Sequence, residues 1–167
     1  MERNKLITSM LEQHGPALRL FAASWSDWPD DCVQRALIKL ASCDPLPDQP
    51  LAWVYRVTRN EAINCRKKQT RRKKRERVVA EERGLFELAT ESPIDQQELQ
   101  QALAALNPET RAIVIAKIWG GLTFEQIAEQ SGCSSSAAHR KYQTGLAKLK
   151  NKLTETIHAE YQQRPAK

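Results

Sequence analysis

Apolar residues recur at three- and four-residue steps along most of this 167-residue chain, the spacing of helices that bury one face. Leu6, Ile7, Met10 and Leu11, then Leu18, Leu20 and Phe21, form an amino-terminal pattern that Gly15-Pro16 is expected to break into two helical segments. Trp25-Ser26-Asp27-Trp28-Pro29 reads as a turn, after which Asp30 or Asp31 opens a helix, an acid being favoured there by the amino-terminal dipole. Val33, Ala36, Leu37 and Leu40 make its buried stripe and leave Asp31, Gln34, Arg35 and Lys39 outside. Cys43 to Pro50 holds three prolines and two aspartates and reads as a loop whose backbone is partly fixed in advance. From Leu51 a helix resumes, with Val54, Val57, Thr58, Ala62 and Cys65 on one side and Arg56, Arg59, Asn60, Asn64 and Lys67 on the other. Ile63 falls on the polar side, against the pattern.

The second half is punctuated more sharply. Leu99, Ala102, Leu103 and Leu106 mark an amphipathic helix, and Asn107-Pro108 is a cap followed by proline at the first helical position. The next helix runs through Arg111, Ile113, Val114 and Ile118 to Trp119, where Gly120-Gly121 ends it. Thr123 with Gln126 three residues on has the capping-box form, so a short helix starts there. Gly132 supplies the left-handed residue that closes it, and Ser134 caps a second helix with Ala138, Tyr142, Leu146, Leu149 and Leu153 inward. Its other face carries Ser135, Ser136, His139, Arg140 and Gln143. Hydrogen-bonding and cationic groups near the start of the second helix of such a pair suit the reading of base edges in a DNA major groove. A helical hairpin with a solvated polar face fits the same stretch.

The fold expected is therefore all-α, with two small helical domains over 1–75 and 96–160 joined by a flexible linker over 76–95. Charge sharpens this division. The net charge is +6, and nine basic residues against one acid fall between Arg66 and Arg77. Seven acids against one base follow between Val78 and Glu109, whereas Ser131 to Lys152 has five bases and no acid. Two cationic pieces joined by an acidic one suggest a polyanionic partner for each end. Trp53 and Tyr55 flank the cationic helix, and rings mixed with guanidinium and amide groups suit unstacked bases of single-stranded DNA, though aromatic residues at a core edge would look the same.

Enzyme chemistry has little support. His14, His139 and His158 are scattered, and no nucleophile with a base and no glycine loop for phosphate is present, so no catalytic residue and no cofactor is expected. Cys32, Cys43, Cys65 and Cys133 form no C-x-x-C pair. They read as small buried residues in a reducing cytoplasm, without a metal site. The longest bulky apolar run, Ile113 to Ile115, is far too short for a membrane span.

With both halves in view, the chain resembles the extracytoplasmic-function sigma factors of bacterial RNA polymerase. DDCVQRALIKL is similar to the family's D-L-V-Q-E-T-F-L segment of region two, and AWVYRVTRNEAIN to its W-L-Y-R-I-A-R-N-x-A-I-D segment. The run ALAALNPETRAIVIAKIWGGLTFEQIAEQSGCSSSAAHRKYQTGLAKLK is similar to region four. The resemblance implies that Asp31, Gln34 and Arg35 dock on the clamp helices of core polymerase. It implies that Trp53, Arg56, Arg59 and Asn60, with the loop Cys43 to Pro50, hold the melted minus-ten strand and capture a flipped base. Ser135, Ser136, His139, Arg140 and Gln143 would read the duplex minus-thirty-five element, with Arg111, Ser134 and Lys141 as phosphate contacts. Core polymerase and promoter DNA are the implied partners, and the resemblance leaves room for an anti-sigma factor. Arg35 stands where the family usually has an acid, Asn64 where it has aspartate, and His139 where it has a permanent cation. Two other readings fit parts of the pattern: a dimeric helix-turn-helix regulator acting without polymerase, and a sigma-like adaptor that no longer opens promoters.

Overall fold

The computed structural model describes residues 2–75 and 96–163, and every regular element among them is an α-helix, as the periodicity required. α1 spans Glu2–Ala22, α2 Pro29–Ala41 and α3 Pro50–Arg75. α4 spans Gln96–Ala104, α5 Pro108–Ile118, α6 Phe124–Ser131 and α7 Ser135–Gln163. The linker read at 76–95 lies outside the described residues.

The break expected at Gly15-Pro16 does not occur, and α1 runs through it as one helix. A proline inside a helix removes one amide hydrogen bond and crowds the preceding turn, at about 3 kcal/mol. Pro16 points to solvent, while Leu18, Leu20 and Phe21 just beyond it are almost wholly buried. Each such burial is worth roughly 1.5–3 kcal/mol, so packing against α2 and α3 carries the helix across the fault. α2 starts at Pro29, slightly earlier than the acids suggested, with Asp30 and Asp31 in its first turn. Trp28 N donates to Ser26 Oγ at 3.1 Å, and an Arg19–Asp30 ion pair at 2.8 Å ties α1 to α2. Its buried face is the one expected, with Cys32 added to it.

On α3, Val54, Thr58 and Ala62 are fully buried, while Arg56, Asn60, Asn64 and Lys67 are exposed. Of the two readings open for Tyr55, flanking the cationic face or packing against the core, the second holds. It is fully buried, its ring edge-on to Phe21 at 4.9 Å, and its hydroxyl lies where Gly120 comes past. A Cβ at Gly120 would sit 2.8 Å from that hydroxyl oxygen, so the bare backbone at the end of α5 is what lets the second half close over Tyr55.

Local punctuation in the second half is realised as read. Asn107 Oδ1 accepts from Thr110 N at 2.8 Å ahead of α5. Both bonds of the Thr123–Gln126 capping box form, Gly132 takes φ +66°, and Ser134 Oγ accepts from Ala137 N at 3.2 Å. α7 packs on α4, α5 and α6. Gly145 is the point of closest approach: a Cβ there would lie 2.7 Å from Val114 Cγ2 and 2.8 Å from Thr110 Cγ2. The two halves also meet, α1 against α5 and α3 against α6, and buried residues of both belong to one continuous cluster.

Candidate nucleic-acid and polymerase interfaces

The helix-turn-helix is held by contacts that aim the start of α7 outward. Ser135 Oγ donates to Glu125 Oε1 at 3.2 Å, joining the first turns of α6 and α7. Glu125's own backbone N–H, then the Thr123 and Ser135 hydroxyls, hold its carboxyl below the usual carboxylate range. Phe124 is a hub that the sequence pattern did not single out. His139 meets it edge-on at 4.9 Å, Tyr142 at 5.5 Å, and Lys117 Nζ lies 4.8 Å above its ring. A ring edge against a ring face is the favoured arrangement, so Phe124 fixes the direction of His139. Ser136, His139, Arg140 and Gln143 are exposed and share one side of α7, and Gln143 Nε2 stands 3.4 Å from His139 Nε2.

The three phosphate candidates sit differently from one another. Ser134 lies at the open end of α7, where its hydroxyl accepts the cap bond and can still donate. Lys141 Nζ is paired with Glu109 Oε1 at 2.7 Å. Arg111 turns inward: Nη2 donates to Ala104 O at 2.9 Å and Leu106 O at 3.0 Å, satisfying carbonyls at the end of α4. Burial lowers its guanidinium below the usual value. These partners give Arg111 and Lys141 structural work whatever else they do.

In the first half, Trp53 and Arg56 line a cleft of about 360 Å³ with Pro47 and Gln49 of the preceding loop. Its far wall is α6. Arg56 Nη1 is 3.1 Å from Glu129 Oε1, and Gln126 Nε2 donates to Gln49 Oε1. Asn60 is exposed one turn along, whereas Arg59 is half-buried with its guanidinium 5.4 Å over the Trp25 ring. That cation–π contact makes Trp25 a support for Arg59 that the turn reading missed.

Asp31, Gln34 and Arg35 all lie on the exposed side of α2. Arg35 reaches Glu61 Oε2 at 3.8 Å, and Lys39 Nζ pairs with the same carboxylate at 2.6 Å. Beside them runs an apolar groove of about 380 Å³ between α1 and α2, lined by Ile7, Leu11, Leu37 and Ile38. Leu11 is 43% and Ile38 57% exposed, a large share for such side chains in a folded chain. An apolar residue on the polar side of the α2 wheel was the available signal for Ile38.

Cys32 is the one cysteine that is fully buried; Cys43 and Cys133, which lie just outside helices, are half-buried, and so is Cys65, in the apolar stripe of α3 and packed against the core. No helix among the described residues is long and apolar enough to cross a membrane.

Residues 96–149 match the family model of sigma-70 region 4. Over 126 residues the chain is 29% identical to RNA polymerase sigma-E factors of Streptomyces avermitilis and Streptomyces coelicolor, covering 74% of this chain and 69% and 70% of theirs. It is also similar to the sigma factor RpoE of Bartonella quintana, solved in complex with the anti-sigma factor NepR. That similarity has a TM-score of 0.72 and 26% identity, over 90% of this chain and 98% of that one. The helix-turn-helix made by α6 and the start of α7 falls within the matched region 4. Residues 96–149 therefore carry sigma-70 region 4, and the likeness of the chain to sigma factors extends over both units.

Proposed function

We propose that this chain binds core RNA polymerase, directs it to particular promoters and assists their melting, without chemistry of its own. Residues 1–75 form the unit that meets polymerase and the minus-ten strand, 96–160 the unit that meets the minus-thirty-five duplex, and 76–95 the connection. Asp31, Gln34 and Arg35 on α2, with the groove at Leu11 and Ile38, face the polymerase. Trp53, Arg56 and Asn60 receive the melted strand beside the loop, and Arg59, held on Trp25, supplies charge behind it. Ser136, His139, Arg140 and Gln143 read base edges, while Ser135 positions α7 and Ser134 offers a donor to phosphate. The NepR-bound relative supports an anti-sigma partner for this chain too.

The observation that carries this reading is that a single chain presents two DNA-suited faces on two helical units, of which one looks into a cleft walled by the other. A strand can enter that cleft fully only when α3 and α6 part. A carrier that holds the units at a fixed spacing makes the second DNA contact effectively intramolecular, and so converts two weak contacts into a specific one.

Reconstitution with core polymerase and sequencing of transcript 5′ ends tests the proposal. Asn60→Ala should lower promoter opening, read by permanganate reactivity, with polymerase affinity kept. Arg140→Ala should weaken recognition of the upstream duplex. Equal loss of polymerase affinity in both variants, or no affinity in the wild type, would contradict it.

A further inference from the structure

Cys32 of α2 and Cys65 of α3 are far apart in sequence, yet their sulfurs lie 3.8 Å from each other. The two thiols are differently placed. Cys32 is fully buried, with its Sγ 3.6 Å from Ser26 Oγ, and burial, foremost, pushes its thiol up to about 12. Cys65 is half-buried, and Arg35 Nη1 stands 3.9 Å from its sulfur, a cation in place for the charge that a sulfur carries as it attacks. No group of three or more His, Cys, Asp or Glu that could hold a metal ion occurs among the described residues.

We propose that Cys32 and Cys65 are an oxidant-responsive pair, in which Cys65 reacts with a hydroperoxide and Cys32 resolves the product into a disulfide joining α2 to α3. In the first step Cys65 Sγ attacks a peroxide oxygen and the O–O bond breaks. Cys65 becomes a sulfenic acid and, for hydrogen peroxide, the leaving hydroxide takes up the thiol proton as water. In the second step Cys32 Sγ attacks the Cys65 sulfur and the S–O bond breaks. The departing hydroxide takes the Cys32 proton, so two thiols are oxidised and one peroxide is reduced to two waters. Because Cys32 is buried and protonated, it has no role until its neighbour has been oxidised.

Geometry favours the second step. The sulfurs need only approach from 3.8 Å to the disulfide length of about 2.05 Å, across two helices already packed together. A transient disulfide of this kind is the usual form of redox sensing in a reducing compartment. The consequence for polymerase rests on the function proposed above: as Cys65 moves toward Cys32 it leaves Arg35, which otherwise bridges Cys65 and Glu61 on the outer side of α2.

The test uses the full chain carrying Cys43→Ser and Cys133→Ser, so that only the pair remains, treated with hydrogen peroxide. Loss of both titratable thiols is expected, in a monomer lighter by two hydrogens, with a raised urea midpoint and full reversal by dithiothreitol. Adding Cys65→Ser should leave Cys32 reduced. Adding Cys32→Ala should stop the reaction at a sulfenic acid on Cys65 that dimedone captures; if that variant does not fold, the Cys65→Ser arm and the mass of the parent decide. Thiols that survive peroxide, a Cys65 driven to sulfinic acid beside a free Cys32, or cross-links only between chains would overturn the proposal. None of these readouts needs polymerase, so their failure is separate from failure of the sigma-factor reading.

Discussion

Tyr55→Phe should stabilise this protein, although it alters a fully buried side chain. The Tyr55 hydroxyl is shut from water by the approach of Gly120 and has no hydrogen-bond partner among the described residues. A buried hydroxyl left unsatisfied costs about 1–3 kcal/mol relative to its hydrated state. Removing the oxygen forfeits a few dispersion contacts of about 0.1–0.2 kcal/mol each, so the net gain is about 1–2 kcal/mol. The ring keeps its edge-on contact with Phe21. Burial also holds the phenol well above its ordinary value, which sets a pH signature. The folded-state value is raised, so the contribution is whole below the unfolded value of about 10 and declines as pH climbs past it. Urea unfolding at pH 7.5 should give a higher midpoint for Tyr55→Phe, and the difference between variants should widen above about pH 10. A loss of more than about 1 kcal/mol in Tyr55→Phe would mean that the hydroxyl has a partner after all, and would refute the reasoning.

Other perturbations test separate parts of the architecture. Gly145→Val puts carbon atoms into the seam where Val114 and Thr110 approach α7, and should destabilise by about 1–3 kcal/mol in urea unfolding, more than any gain in helix propensity. Thr123→Ala removes the hydroxyl arm of the capping box and should lower stability by about 1 kcal/mol, with amide exchange faster at the start of α6. Glu129→Arg sets a second cation opposite Arg56. Because the native pair is exposed, the shift toward separated halves should be no more than about 1 kcal/mol, read as a larger scattering radius that salt diminishes.

What could be read from sequence is what is decided within three or four residues. The Asn107 and Ser134 caps, the Thr123–Gln126 box and the left-handed Gly132 each find their partners inside one turn. The exposed face of α7 followed from the same periodicity, and so did the outer side of α2. Gly15-Pro16 misled because the residues that keep α1 continuous, from Leu18 to Phe21, draw their stability from other helices. Sequence left Tyr55 between the cationic face and the core for a related reason: its neighbours Phe21 and Gly120 are brought to it by the packing of two halves, and neither shares its helix wheel. The resemblance made Arg111 a phosphate contact, and no periodicity could show that its Nη2 also answers carbonyls exposed by the end of α4. Gly145 and the Cys32–Cys65 contact share this character, since a close approach between helices leaves no local periodic mark. Small residues inside an otherwise bulky stripe are the nearest thing to a signal.

The seam between α3 and α6 is built from contacts that are easily given up. Arg56 and Glu129 keep 45% and 71% of their side-chain surface in water, and the Gln126–Gln49 amide pair is exposed as well. Each loses little when water replaces its partner. Gln130 Oε1 is buried beside this seam and the Tyr55 hydroxyl is buried under Gly120 of the other half, both without a partner among the described residues, and both regain hydrogen bonds when the halves part. Opposing this are the Tyr55 ring and the α1–α5 packing, which are apolar and lose by exposure. A seam with compensating losses and gains of this kind responds to modest differential binding: a partner that prefers the separated halves by about 1.4 kcal/mol moves the balance tenfold. On the function proposed above, polymerase and promoter strand together supply that preference, since the strand competes with Glu129 for Arg56 while polymerase holds α2 from outside. It follows that Tyr55→Phe, by removing a group that gains from opening, should weaken apparent affinity for a melted minus-ten strand even though the residue never touches it.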